Sequence, residues 1–265
     1  MKSVVILLLG ICVILNPACG QSSGDYFDSF DGVKIYYEVK GDGYPLLLVH
    51  GFTSDGESWK RGKLYDDLLR EGYKVITLDM RGNGKSDKPH DLEAYKDDAE
   101  AKDIVLLMNR LHITSYHAVG YSRGSIIVSR LLVRDSRIRR AVLGGMGADF
   151  MNPEWPRRLM FYRALSNEPV EELQGMIKRI KDNGLDQEAL ACLQGAQPHT
   201  TAKEFSEVTQ PVLVICGDED KDNGSSEELA SVIPHATHVT VAGNHGGVPR
   251  TQAFSDAILT FLKAQ

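Results

Sequence analysis

"HAVGYSRGSIIVSR", residues 117–130, sets a serine between two glycines, Gly120-Tyr121-Ser122-Arg123-Gly124. A G-x-S-x-G match arises by accident in roughly one chain in ten of this length, so the five letters do not separate a reactive serine from a small polar residue in a turn. The surroundings carry more. "HAVG" is a short apolar run of strand type and "RGSIIVSRLLV" is an amphipathic helical pattern, so Ser122 falls at a strand-to-helix elbow. Such a turn forces the serine into strained backbone geometry and crowds strand against helix, which leaves no room for side chains at positions 120 and 124.

Outward from the elbow, apolar strand-like runs alternate with amphipathic ones. "VKIYYEV" alternates with period two and predicts an antiparallel strand near a sheet edge. "PLLLVHG", "YKVITLD", "HAVG", "RRAVLGG", "PVLVICG" and "THVTVAG" are continuous apolar runs, as expected of parallel strands covered on both faces. Helices are predicted over 59–71, 92–111, 123–134, 225–232 and 251–262. The expected class is α/β, with a mostly parallel central sheet and helices on both faces. Between about 147 and 208 no strand pattern occurs, and this interval reads as a helical cap inserted over the sheet. Its aromatic residues Phe150, Trp155, Phe161 and Tyr162 are candidates to line a substrate pocket, with Phe150, Trp155 and Tyr162 taken forward.

Ligands of open parallel sheets gather at the carboxyl ends of the strands, so the loops after the apolar runs are where partners for Ser122 are sought. A serine hydroxyl is a weak nucleophile and needs a base held by a third group. Of the eight histidines, His245 lies in a glycine-rich loop after the last strand, "TVAGNHGGVPR". The acid is expected after "PVLVIC", in "GDEDKDNG". Asp220 is preferred over Asp218, because a residue two or three past the strand end can turn back towards the histidine. Asp149, after the preceding strand, is a further candidate. Two main-chain donors are expected to receive a developing oxyanion, the N–H of Arg123 at the helix start and the N–H of Phe52 after His50-Gly51. The Arg123 guanidinium is expected to pair with a surface acid, with a substrate carboxylate as the alternative partner.

Four motifs in order, "HGF" at 50–52, "DMRGNGKS" at 79–86, "GYSRG" at 120–124, and "GDED" with "GNH" at 217–220 and 243–245, make the chain from about residue 27 onward resemble the capped, single-domain α/β-hydrolase family. The resemblance implies a Ser122-His245-Asp220 triad and a cofactor-free hydrolase that cleaves a carboxylic ester, thioester or lactone. It also implies that Asp79–Ser86 supports the catalytic entrance. Asn244 stands where the family usually has glycine before the histidine. The same triad resembles that of C–C bond hydrolases, perhydrolases and proline iminopeptidases, the last needing cap carboxylates such as Glu154 or Glu168. A ligand-binding module with a retained, poorly active triad is the alternative from another class.

The bulk properties bound the partners. The 265 residues carry 30 Lys and Arg against 36 Asp and Glu, a net charge of −6, and this lack of basic excess speaks against a nucleic-acid partner. A small-molecule substrate is expected. There is no H-E-x-x-H and no paired Cys/His spacing for a metal, and no dinucleotide fingerprint follows the first parallel strand, so no cofactor is expected. Lys2 and the apolar run from Val4 to Leu15 read as a signal peptide, too short to span a bilayer. Residues 1–20 form this leader, cleaved after Gly20 or retained as a lipidated Cys19, and 21–26 read as a linker. The expected location is periplasmic or secreted, with a membrane anchor if Cys19 is lipidated. A disulfide between Cys192 and Cys216 is not indicated by their settings.

Overall fold

The computed structural model of the protein describes residues 24–264; the expected leader, with Cys12 and Cys19, lies outside the described residues. Eight strands form one sheet: β1 (Asp25–Asp28), β2 (Lys34–Lys40), β3 (Pro45–Val49), β4 (Lys74–Leu78), β5 (Tyr116–Tyr121), β6 (Ile138–Gly144), β7 (Val212–Gly217) and β8 (Ala236–Val241). Their order is β1-β2-β4-β3-β5-β6-β7-β8. β1 and β2 pair antiparallel, as do β2 and β4, and every other pair is parallel. The helices are α1 (Leu64–Arg70), α2 (Ala99–Arg110), α3 (Arg123–Arg134), α4 (Pro156–Leu165), α5 (Gln174–Asp182), α6 (Gln187–Gly195), α7 (Ala202–Ser206), α8 (Ser226–Ser231) and α9 (Gln252–Lys263).

The period of two along the parallel strands divides the core. Leu47, Val49, Val212 and Val214 pack with Ile104 and Leu107 of α2, Ile127 and Leu131 of α3 and Leu229 of α8. Leu46, Leu48, Leu213 and Ile215 face the other way, onto Leu64 and Leu68 of α1 and Phe254, Ile258 and Leu262 of α9. A strand buried on both faces has no polar side, which is why these runs are continuously apolar. The segment between β6 and β7 contains α4 to α7, and there Leu165, Ile180, Leu190 and Leu193 build a smaller cluster with Tyr95 of the body.

Three expectations are corrected. Asp25 and Tyr26, assigned to the linker, belong to β1 and pair with Tyr37 and Tyr36. The helix expected over 59–71 divides into a 3-10 turn, Gly56–Arg61, and α1. Between them Gly62 passes so close to Pro249 that a Cβ would lie 2.6 Å from its carbonyl oxygen. The helix expected from residue 92 starts at Ala99, because Asp97 and Asp98 have φ of +54° and +58° and break the helical path. Cys192 and Cys216 are both free thiols.

The strand order positions the site. From β3 the chain moves to β4 on one side, and β5 then pairs on the other side of β3. At such a switch point the loops leaving the two strands diverge and open a crevice at their carboxyl ends. Val49 is in register with Gly120, so the loop that begins at His50 and the elbow at Ser122 emerge side by side.

Candidate active site

Ser122 has φ +55° and ψ −123°, a conformation that costs an L-residue on the order of 1–3 kcal/mol. The fold holds it there: its N–H donates to Gly144 O at 2.8 Å, and its carbonyl accepts from Ser125 N–H at 2.8 Å. Both flanking glycines answer to close approach. A Cβ on Gly120 would stand 2.3 Å from Gly124 O, and one on Gly124 would stand 2.1 Å from Val49 O. The turn thereby brings α3 tightly against β3 and β5 and lifts the serine into the crevice.

His245 Nε2 lies 3.0 Å from Ser122 Oγ, and its Nδ1 lies 2.7 Å from Asp220 Oδ2. With a carboxylate on the Nδ1 side, the proton sits on Nδ1 and Nε2 is left to accept the serine O–H. Asp220 is nearly dry, its side chain 2% exposed, whereas His245 is 35% exposed and faces the crevice. The loops are fastened by separate bonds. Tyr121 Oη donates to His245 O at 2.6 Å, and Asp218 Oδ1 accepts the Gly243 N–H at 2.8 Å. Asn244 turns its side chain away from the imidazole and accepts the Gly247 N–H at 3.0 Å, closing the turn that follows. Asp149 lies against Gly224 rather than His245.

The loop after β3 is built around three buried side chains, His50, Asp79 and Asn83. His50 is neutral by its bonding, its Nδ1 donating to Gly51 O at 2.8 Å and its Nε2 accepting Met80 N–H at 3.0 Å. Burial also pushes its pKa down. Asn83 Nδ2 donates to Phe52 O at 2.8 Å, and Asp79 takes the N–H groups of Gly56 and Lys85, each at 2.7 Å. The Phe52 and Arg123 N–H groups have no protein acceptor among the described residues. Arg123 does not meet a surface acid. Its guanidinium pairs at 2.5 Å with Glu100, and both side chains are at most 3% exposed, because the first turn of α2 lies beneath the elbow.

The family model described as the alpha/beta hydrolase fold matches residues 44–174, the stretch from β3 through the elbow into α5. An esterase from Exiguobacterium antarcticum superposes with a TM-score of 0.76, covering 91% of this chain and 100% of its own at 20% identity. The chain belongs to the α/β-hydrolase fold family. Among curated relatives, the non-heme haloperoxidase of Rhodococcus erythropolis is 27% identical over 72% of this chain and 80% of its own length. The non-heme chloroperoxidase of Streptomyces lividans is 34% identical over 43% of this chain, which spans only 41% of that relative.

In this α/β hydrolase the crevice widens into a cavity of about 740 Å³ between the strand ends and the helices that follow β6. Ser122, His245, Phe52, Trp155, Phe161 and Met176 are on its walls. Of the three aromatic residues taken forward for the pocket, Trp155 lines it and the other two do not. Phe150 is 1% exposed and packs edge-on against Phe205 at 6.2 Å, as part of the main core. Tyr162 lies against Gly195 and borders a separate depression with His90 and Cys192. Phe161, its neighbour on α4, faces the cavity and meets Phe52 at 6.3 Å. Trp59, Arg157 and Arg158, which no sequence motif marks, line the same space. Glu154 and Glu168 do not line it. Among the described residues no group of three or more His, Cys, Asp or Glu is placed to hold a metal ion.

Proposed function

We propose that the protein is a serine hydrolase that cleaves a carboxylic ester, thioester or lactone through an acyl-enzyme. The observation that carries this reading is the continuous chain Asp220–His245–Ser122, at 2.7 and 3.0 Å, opening onto the cavity. Ser122 Oγ attacks the scissile carbonyl as its proton passes to His245 Nε2. Asp220 holds the tautomer and stabilises the imidazolium. The free N–H groups of Phe52 and Arg123 receive the oxyanion, each worth about 3 kcal/mol in the transition state. His245 then protonates the leaving alcohol, and a water activated by the same histidine releases the acid. The expected leader adds that the substrate is met outside the cytoplasm.

The relatives named haloperoxidase and chloroperoxidase favour a second reading, in which hydrogen peroxide rather than water attacks the acyl-enzyme and yields a peracid. The two readings share the acyl-enzyme. A p-nitrophenyl acetate or butyrate assay tests it: a burst of p-nitrophenol is expected from the native protein, with kcat lowered by about four orders of magnitude or more in Ser122→Ala. Turnover unchanged in Ser122→Ala would overturn both readings. No turnover in the native protein would favour the ligand-binding alternative.

A further inference from the structure

The cavity has a charge balance opposite to that of the chain. The whole sequence carries a net charge of −6, yet among the described residues Arg61, Arg157, Arg158, Arg179 and Arg250 line the cavity together with a single carboxylate, Glu172. Arg123 also reaches it but is neutralised by Glu100. Arg157 shares an exposed ion pair with Asp222 at 3.2 Å. Arg61, Arg179 and Arg250 are exposed and make no ion pair among the described residues.

Arg158 differs from these. It is half-buried, and its guanidinium is held by main-chain carbonyls alone: Nε to Gln194 O at 3.2 Å, Nη2 to Gly195 O at 2.7 Å, and Nη1 to Pro153 O. No carboxylate pairs with it among the described residues. Burial pushes its pKa down; the charge of Glu154 opposes this without a direct ion pair, and the neighbouring Arg123 adds to the fall. Its place in α4 makes the arrangement more costly. Pro156, Arg157 and Arg158 open the helix with no acid in the first turn, where the helix dipole favours anions and disfavours cations. A partly desolvated cation fixed by neutral acceptors, at the unfavourable end of a helix and on a cavity wall, has no carboxylate bonded to it among the described residues. Trp59, 5% exposed and on the same cavity, has an indole N–H with no acceptor among the described residues.

Unsatisfied donors and cations surround a space that contains the reactive serine. We propose that the cavity selects an ester or lactone bearing a carboxylate away from its scissile carbonyl, with Arg158 as the specificity-determining contact. This rests on the hydrolase reading above for the chemistry, and not for the charge recognition. The exposed arginines lining the cavity draw the anion in, and Arg158, already oriented by three carbonyls, receives it with little loss of side-chain freedom.

The test compares the mono-p-nitrophenyl ester of glutaric acid with its neutral methyl ester as substrates. The native protein is expected to favour the anionic ester in kcat/KM by about 10-fold or more, a charge-assisted hydrogen bond's worth. Arg158→Gln is expected to remove most of that preference, lowering kcat/KM for the anionic ester at least about fivefold more than for the neutral one, and Arg158→Lys to restore part of it. Should Arg158→Gln fold poorly, salt does the same work: raising NaCl from about 0.05 to 0.5 M is expected to raise KM for the anionic ester and not for the neutral one. Equal kcat/KM for the two esters, equal loss of both in folded Arg158→Gln, or no salt difference would overturn the proposal. Calorimetric binding of the same two esters to Ser122→Ala reads charge selection without turnover. Selective binding there with an inactive native protein would overturn the hydrolase reading and support this one.

Discussion

Asp218 and Asp220 stand two residues apart on one loop and hold different partners, Gly243 N–H and His245 Nδ1. The difference predicts their substitutions. Asp220→Asn presents either an amide donor or a neutral acceptor to the imidazole, so kcat is expected to fall by about three to four orders of magnitude. Asp218→Asn keeps a carbonyl oxygen for Gly243 N–H, and kcat is expected to stay within about fivefold. Steady-state kinetics on the two variants check this, and equal losses would contradict the division of labour. At this scale much was legible, because Ser122, His245 and Asp220 follow strand ends in a readable order. Arg158 was not, since its meaning comes from carbonyls at 153, 194 and 195 that only the folded chain brings together. The one local hint was two arginines after Pro156, in a helical turn that ordinarily carries acids.

The elbow between β5 and α3 is the element on which the site depends. Gly124→Ala puts a methyl 2.1 Å from Val49 O, a main-chain atom fixed in the centre of the sheet. It is expected to cost at least about 3 kcal/mol and to remove activity by shifting Ser122. Gly175→Ala in α5 is the matched control, since its methyl would meet only Arg179 Nη1 at 3.6 Å, and a change within about 1 kcal/mol is expected. Urea denaturation of both variants measures the difference, and similar midpoints would contradict the packing argument. The parallel strands and α3 were legible as elements because burial on both sheet faces imposes a continuous apolar run. β1 was not, because the four residues "DYFD" bury only Phe27. The orientation of α4 was equally hidden: "PRRLMFYRAL" mixes polar and apolar residues without a clear stripe, and Phe161 and Tyr162, about 100° apart on the helix, face different depressions.

Across the whole molecule, the loops after β3, β5, β7 and β8 converge at the carboxyl ends of the strands, and the helices after β6 roof the space above them. The body is therefore readable from strand periodicity and the cavity is not, because its walls come from segments more than 100 residues apart. We propose that the strained serine at the switch point is the nucleophile on which loops, cavity and triad converge. Labelling with a fluorophosphonate followed by peptide mass spectrometry tests it most directly. One adduct on the peptide containing Ser122, formed in the native protein and lost in Ser122→Ala, is the predicted result; a folded native protein that takes no label at Ser122, or takes it on another residue, would contradict the account.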